Sequence, residues 1–175
     1  VEVGKDVTEF AIGDRVTATF GSCGTCHACS DENPAYCLDH AAQNFDGLRS
    51  NGQGSLTEMD GKPIFSAFFQ QSGFATHALV QRNNIVKIPD DISFEVAAPL
   101  GCGVQTGAGS VMTSLSAKKG ESIVIFGVGA VGLSAVMAAN AIGCHPIIAI
   151  DLDASRLDLA KDFGAHHALQ GDSPD

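Results

Sequence analysis

Residues 121–143 read ESIVIFGVGAVGLSAVMAANAIG, and the order of residue types in that stretch decides the fold. From Ser122 to Phe126 the run is largely β-branched and apolar without alternation, which predicts a short strand buried on both faces. Gly127, Gly129 and Gly132 then form G-x-G-x-x-G, and an Ala-rich helix follows. That spacing alone is a weak signal, because glycines mark many turns. Here it directly follows a strand and opens a helix, the context a dinucleotide-binding turn requires. The first Gly permits the tight turn, the second lets the backbone approach a pyrophosphate, and the third lets the helix pack closely on the strand. The phosphates then meet the positive N-terminal end of the helix.

Downstream, HPIIAID (145–151) predicts a second strand ending in Asp151, nineteen residues beyond Gly132. An acidic side chain at that distance is placed to accept hydrogen bonds from a ribose 2′-hydroxyl. It also repels a 2′-phosphate, as does Asp153, so NAD is favoured over NADP. Leu152 belongs to the same candidate set. Arg156 either frames the adenosine ribose and phosphate or is a solvated helix charge. ASRLDLAKDFG (154–164) predicts the next helix, with Leu157, Ala160 and Phe163 at helical spacing and Gly164 as its C-terminal cap. HHALQ (166–170) starts a third strand, nearly completing a βαβαβ half. Cys144, in the preceding helix-to-strand loop, is read as structural.

Upstream, CGTCHACSDENPAYC (23–37) holds four of the six cysteines, with spacing C-x2-C-x2-C-x7-C through Cys23, Cys26, Cys29 and Cys37. Loops this short can fold four thiolates around one tetrahedral Zn²⁺. Gly24 relaxes the first turn and Pro34 shapes the last. Four sulfur ligands leave no position for water or substrate, so such a site serves folding. An iron–sulfur cluster also uses C-x2-C-x2-C, although its fourth Cys is ordinarily closer and followed by Pro, whereas Leu38 follows Cys37 here. Disulfides and metal-free thiols are the remaining readings. His27 and His40 read as solvated loop residues.

Composition limits the partners. The 175 residues are 45% apolar, enough for one ordinary domain or two small ones. Ten Lys plus Arg against twenty Asp plus Glu give a formal charge of −10, which disfavours nucleic acid and anionic membranes. No apolar run approaches a membrane span, and VEVGKDVTEF has neither the basic start nor the apolar core of a signal peptide, so a cytoplasmic location is expected. The start without Met and the abrupt end, HHALQGDSPD, read as those of a fragment. Strands are expected at RVTATF (15–20), ATHALV (75–80) and NIVKIP (84–89), a long surface loop at 43–62, and a short helix in SFEVAAPLGCG (93–103). Phe45, Phe65, Phe68, Phe69 and Phe74 form an aromatic-rich middle read as core packing.

The four-cysteine loop followed by the glycine turn resembles the zinc-dependent medium-chain alcohol dehydrogenases. The likeness covers nearly the whole chain: VEVGKDVTEFAIGDRV (1–16) is similar to the stretch after that family's G-H-E segment, and PLGCGVQTGAGS (99–110) to the segment carrying a catalytic zinc ligand. NPAYC and FFQQSGFATHALVQRNNIVKIP (68–89) are most similar to aryl-alcohol (benzyl alcohol) dehydrogenases. The resemblance implies an α/β plus β chain: part of a GroES-like β-rich catalytic domain (1–103, with the structural zinc lobe at 23–37), then the first half of a Rossmann sheet (104–175). It implies that Cys102 is a ligand of a second, catalytic zinc, although without the family this cysteine reads as a small buried hydrophobe just before a helix over 104–112. Thr106 is implied to touch the nicotinamide, and Val128, Ala130 and Val131 to line the pyrophosphate turn and cofactor pocket.

The implied activity is zinc-assisted hydride transfer from a primary, aryl alcohol to NAD, giving the aldehyde, in a homo-oligomer (dimer or tetramer). One or two of the phenylalanines would then face the aryl substrate. The alternatives are a glutathione-dependent formaldehyde or polyol dehydrogenase of the same superfamily, a non-catalytic NAD-binding relative, or an iron–sulfur electron carrier. The family's other catalytic zinc ligands and proton relay are expected before residue 1, so these 175 residues alone are expected to lack dehydrogenase activity.

Overall fold

In the computed structural model, which describes residues 1–49, 51–54 and 56–172, the chain divides into two compact units, Val1–Gly101 and Cys102–Asp175. The first contains β1 (Val16–Ala18), α1 (His27–Ser30), α2 (His40–Phe45), β2 (Leu56–Thr57), β3 (Pro63–Ile64), β4 (Ile85–Lys87) and α3 (Phe94–Ala97). Strands β1 and β4 pair antiparallel, with Val16 opposite Lys87 and Ala18 opposite Ile85. Arg15, just before β1, holds the chain beyond β4: its guanidinium donates to the carbonyls of Pro89, Asp90 and Ile92 and lies 4.5 Å from the Phe94 ring centre. Ser93 caps α3 by accepting from the Val96 N–H at 3.3 Å. Thr17 and Thr19 donate to the carbonyls of Ala97 and Gly101, and a Cβ at Gly101 would collide with the Ala18 carbonyl. Backbone meets backbone there, which only glycine permits.

Several expectations for this unit differ from the structure; Phe45, Phe65, Phe68 and Phe74, read as core packing, are exposed. Residues 75–80 form no strand, and Gly73–Leu79 are exposed. A six-residue run needs a neighbour to pair with, and no described strand lies alongside it. The expected 43–62 loop begins inside α2 and ends in the β2–β3 hairpin, where Leu56 faces Ile64 across an Asp60-Gly61 turn with Gly61 at φ +86°. That Asp-Gly pair is the hairpin signal the loop reading passed over.

The second unit contains α4 (Gly103–Gly109), β5 (Ile123–Phe126), α5 (Ala130–Ile142), β6 (Ile147–Asp151), α6 (Ala154–Asp162) and β7 (His167–Gln170). A π-helical turn, Ser110–Ser114, follows α4 directly, so the segment expected as a helix over 104–112 is helical throughout but changes pitch at Ser110. The three strands are parallel in the order β5-β6-β7, with Ile123 opposite Ile147 and Ile150 opposite Leu169. Its core gathers Val111, Val128, Val136, Ile147, Ala149 and Ala160, among others. Small residues let α4 and α5 touch closely; a Cβ at Gly107 would collide with the Val131 carbonyl. Gly143, at φ +86°, ends α5 by donating to the carbonyls of Ala139 and Asn140.

Strand β5 is not buried on both faces. Ile125 is buried, but Val124 and Phe126 are exposed, and so is Leu169 on the same side of β7. Right-handed crossovers wound in one direction bring α5 and α6 to a single face of the sheet. Within this unit the described helices leave the other face open.

Candidate functional site

The cysteine loop is shaped by local turns. Gly24 takes φ +73°, α1 begins immediately after Cys26, and Pro34 opens a 3₁₀ turn, Pro34–Tyr36, that delivers Cys37. The result brings the sulfurs of Cys23, Cys26, Cys29 and Cys37 within 4.8 Å of one another. Cys23 and Cys29 are 3.9 Å apart, Sγ to Sγ, too far for a disulfide and close to the ~3.8 Å edge of a tetrahedron with 2.3 Å Zn–S arms. Iron–sulfur ligands attach to different iron atoms and would spread further; this cluster fits one ion.

Backbone donors tune the thiols. The N–H of Cys26 donates to Cys23 Sγ and the N–H of Cys23 to Cys37 Sγ, each at 3.3 Å. Backbone donation from Thr25, then from Cys26, with the Thr25 hydroxyl, brings the Cys23 thiol down to about 6, and donation from Leu38 and Cys29 lowers Cys26. Burial pushes the Cys29 thiol up to about 12. Two thiols are thus shifted toward ionisation and a third away from it, and a bound dication would favour the thiolate form of its ligands. Thr25 was missed from the sequence; a hydroxyl two residues after a ligand cysteine is the signal that would have found it. His40 is not a solvated loop residue. It is half-buried, with Phe20 at 5.6 Å and Phe45 at 6.1 Å between ring centres.

The glycine turn joins β5 to α5. Gly127 has φ +78°, and a Cβ at Gly132 would strike the Gly127 carbonyl, so the first and third glycines answer to turn geometry and close packing. A Cβ at Gly129 would meet nothing within 4 Å. The protein itself does not require glycine there, and the open space suits a group approaching from outside. Asp151, at the end of β6, accepts from the Val128 N–H at 2.7 Å and from the Asp153 N–H at 2.9 Å. Those backbone donors, Asp153 first, hold its carboxyl below the usual carboxylate range, with Arg156 adding to the effect. Arg156 lies 3.9 Å from both Asp151 and Asp153. Each Asp151 oxygen keeps a second lone pair for a sugar hydroxyl. Leu152, Ala130 and Val131 are exposed, but Val128 is fully buried and its side chain packs in the apolar core. Its side chain therefore lines no cofactor pocket, a correction that follows from its packing in the core just beyond β5.

Cys102 is exposed, not a buried hydrophobe, and immediately precedes α4. Thr106, also exposed, donates its N–H to the Cys102 carbonyl at 3.0 Å. Among the described residues, the thiol cluster is the one set of three or more His, Cys, Asp or Glu gathered to hold a metal, and Cys102 is not in it. Cys144 is buried, its thiol 3.7 Å from the Lys118 carbonyl.

Residues 1–90 match the alcohol dehydrogenase GroES-like domain, and residues 130–175 the zinc-binding dehydrogenase domain. A geraniol dehydrogenase of Castellaniella defragrans is 44% identical over 95% of this chain and 45% of its own length. Benzyl alcohol dehydrogenase from Acinetobacter calcoaceticus superposes with a TM-score of 0.89 at 44% identity, covering 99% of this chain and 46% of that one. An alcohol dehydrogenase zinc-binding domain protein from Burkholderia ambifaria gives a TM-score of 0.90 at 46% identity, covering 99% of this chain and 47% of that one. The chain spans about half the length of the relatives it matches.

Proposed function

This chain belongs to the zinc-dependent medium-chain alcohol dehydrogenase family, and we propose that the whole protein oxidises a primary aryl alcohol to its aldehyde with NAD. The observation that carries the redox reading is the glycine turn itself: open space over Gly129 beside an ionised Asp151 suits a diphosphate and an unphosphorylated ribose. In this reading Gly127, Val128 and Gly129 present backbone to the pyrophosphate, with Ala130, Val131 and Gly132 at the start of the helix. Asp151, flanked by Leu152 and Arg156, accepts from the adenosine ribose. Cys102 contributes to a catalytic zinc and Thr106 stands at the nicotinamide. Cys23, Cys26, Cys29 and Cys37 hold a structural zinc that braces the first unit. Catalytic zinc, when bound, supplies Lewis acidity toward the alcohol, and nicotinamide supplies the hydride acceptor.

The domain division at 103/104, a cytoplasmic location and a homo-oligomer belong to the same proposal. The likeness to benzyl alcohol and geraniol dehydrogenases supports an unsaturated or aromatic primary alcohol over a sugar alcohol. Steady-state turnover by the full-length protein of benzyl alcohol, sorbitol and S-hydroxymethylglutathione with NAD tests it. Benzyl alcohol is expected to lead in kcat/KM by at least tenfold. Equal or greater turnover of either other substrate would remove the aryl assignment, and none with any of the three would favour a non-catalytic relative.

A further inference from the structure

The buried polar side chains of the first unit gather around one short backbone segment. Asn44, with no exposed surface, accepts from the Gly21 N–H at 2.6 Å and donates back to the Gly21 carbonyl at 2.9 Å. A primary amide that grips both polar groups of one residue takes the place of a neighbouring strand. Its Nδ2 also donates to the His40 carbonyl at 2.8 Å, tying the grip to the first turn of α2. One residue further on, Asn83 donates to the Ser22 carbonyl at 2.7 Å and lies 3.2 Å from its hydroxyl. Gln70 and Asn84 close the ring: a Cβ at Gly21 would lie 2.9 Å from Gln70 Cγ and 3.3 Å from Asn84 Nδ2. Gly21 has no side chain because amides occupy that space.

The gripped residues lead directly into Cys23. Within residues 23–37 only Ala28 and Cys37 are buried apolar side chains, too few to fix the loop by packing. Something outside the loop must hold its start so that four sulfurs stay within 4.8 Å of one another.

We propose that the Asn44 and Asn83 carboxamides are positioning residues for the metal lobe, clamping Gly21 and Ser22 so that Cys23 and its partners stay within reach of one ion. The clamp touches no sulfur and acts through the backbone. It rests on the thiol cluster being a zinc site. Partners that orient a ligand from behind ordinarily change metal affinity by 10- to 100-fold.

Cobalt(II) titration of the chain tests this, because thiolate–cobalt charge-transfer and d–d bands report both occupancy and tetrahedral geometry. Asn44→Ala should weaken cobalt binding about tenfold or more and speed transfer of bound zinc to a chromogenic chelator by a similar factor. Asn83→Ala, at an exposed position, should shift both readouts the same way but less. Asn33→Ala, which removes only an exposed contact to the Asp31 carbonyl, should shift neither. Amide exchange in β1 and β4, the paired strands of the same unit, should not change in any variant, separating the clamp from general destabilisation of that unit. If Asn44→Ala and Asn83→Ala bind cobalt as tightly as the unsubstituted chain, the clamp is refuted while the metal reading stands. If the unsubstituted chain gives no thiolate–cobalt bands, the metal reading itself fails and takes the clamp with it.

Discussion

Between Cys102 and Asp175, thirteen buried apolar residues form one cluster and Ser134 is the one buried polar residue among those described. Between Val1 and Gly101, five of the described apolar residues are buried (Ala28, Cys37, Ala67, Ile88 and Ala97), nearly matched by Ser22, Asn44, Gln70 and Asn84. The second unit is held by the hydrophobic effect acting through a parallel sheet and its helices. The first has little apolar area to remove from water, and its order depends on directional contacts: a guanidinium on three carbonyls, carboxamides on Gly21 and Ser22, and four sulfurs poised for one ion. The lesson is that two regions of one chain can fold by different physics. They should then fail under different challenges.

The largest expected difference follows metal removal. Structural zinc supplies on the order of 10 kcal/mol or more to small sites of this kind. Stripping it with a strong chelator should bring amide exchange around residues 20–45 close to that of an unfolded chain and leave β5, β6 and β7 as protected as before. Loss of protection in both regions together would break the contrast.

Truncating the apolar core should do the reverse. Ile147 is fully buried in the second unit, so Ile147→Ala should cost about 2–5 kcal/mol there, read from urea unfolding followed by exchange in the sheet. Retention of metal by the cysteine loop should not change. Earlier zinc release in this variant would mean that the two regions share one stability.

A smaller effect comes from Asp151. Its carboxyl is held below the usual range by backbone donors, so its ionised form stabilises the folded state. That contribution is fully present above the unfolded value of about 4 and is lost as pH falls through the lowered folded value. The urea midpoint of the second unit should fall on acidification below about pH 4, and Asp151→Asn should flatten that part of the profile. An unchanged slope in the variant would contradict the role given to the Val128 and Asp153 N–H groups.

What could be read from the sequence was what lies close along the chain. Gly127 to Gly132 sit within one turn, Asp151 ends the next strand, and C-x2-C-x2-C-x7-C limits how far four sulfurs can separate. The missing strand at 75–80 and the open face of β5 were not legible, because each depends on what packs alongside, and periodicity records only what a segment could do. Cys102 was misjudged as buried when read alone, since small flanking residues fit a core and an exposed turn equally well. Asn44 left no signal at all. Its partner, Gly21, is 23 residues away, and a lone Asn at the end of a helix ordinarily reads as solvated.

X-ray absorption at the zinc edge of the purified chain tests the central claim most directly, namely that one metal ion braces the first unit. One zinc per chain, with four sulfurs at about 2.3 Å and no nitrogen or oxygen in the shell, is the predicted result. A chain without zinc, an iron signal, or a shell mixing sulfur with nitrogen or oxygen would contradict it.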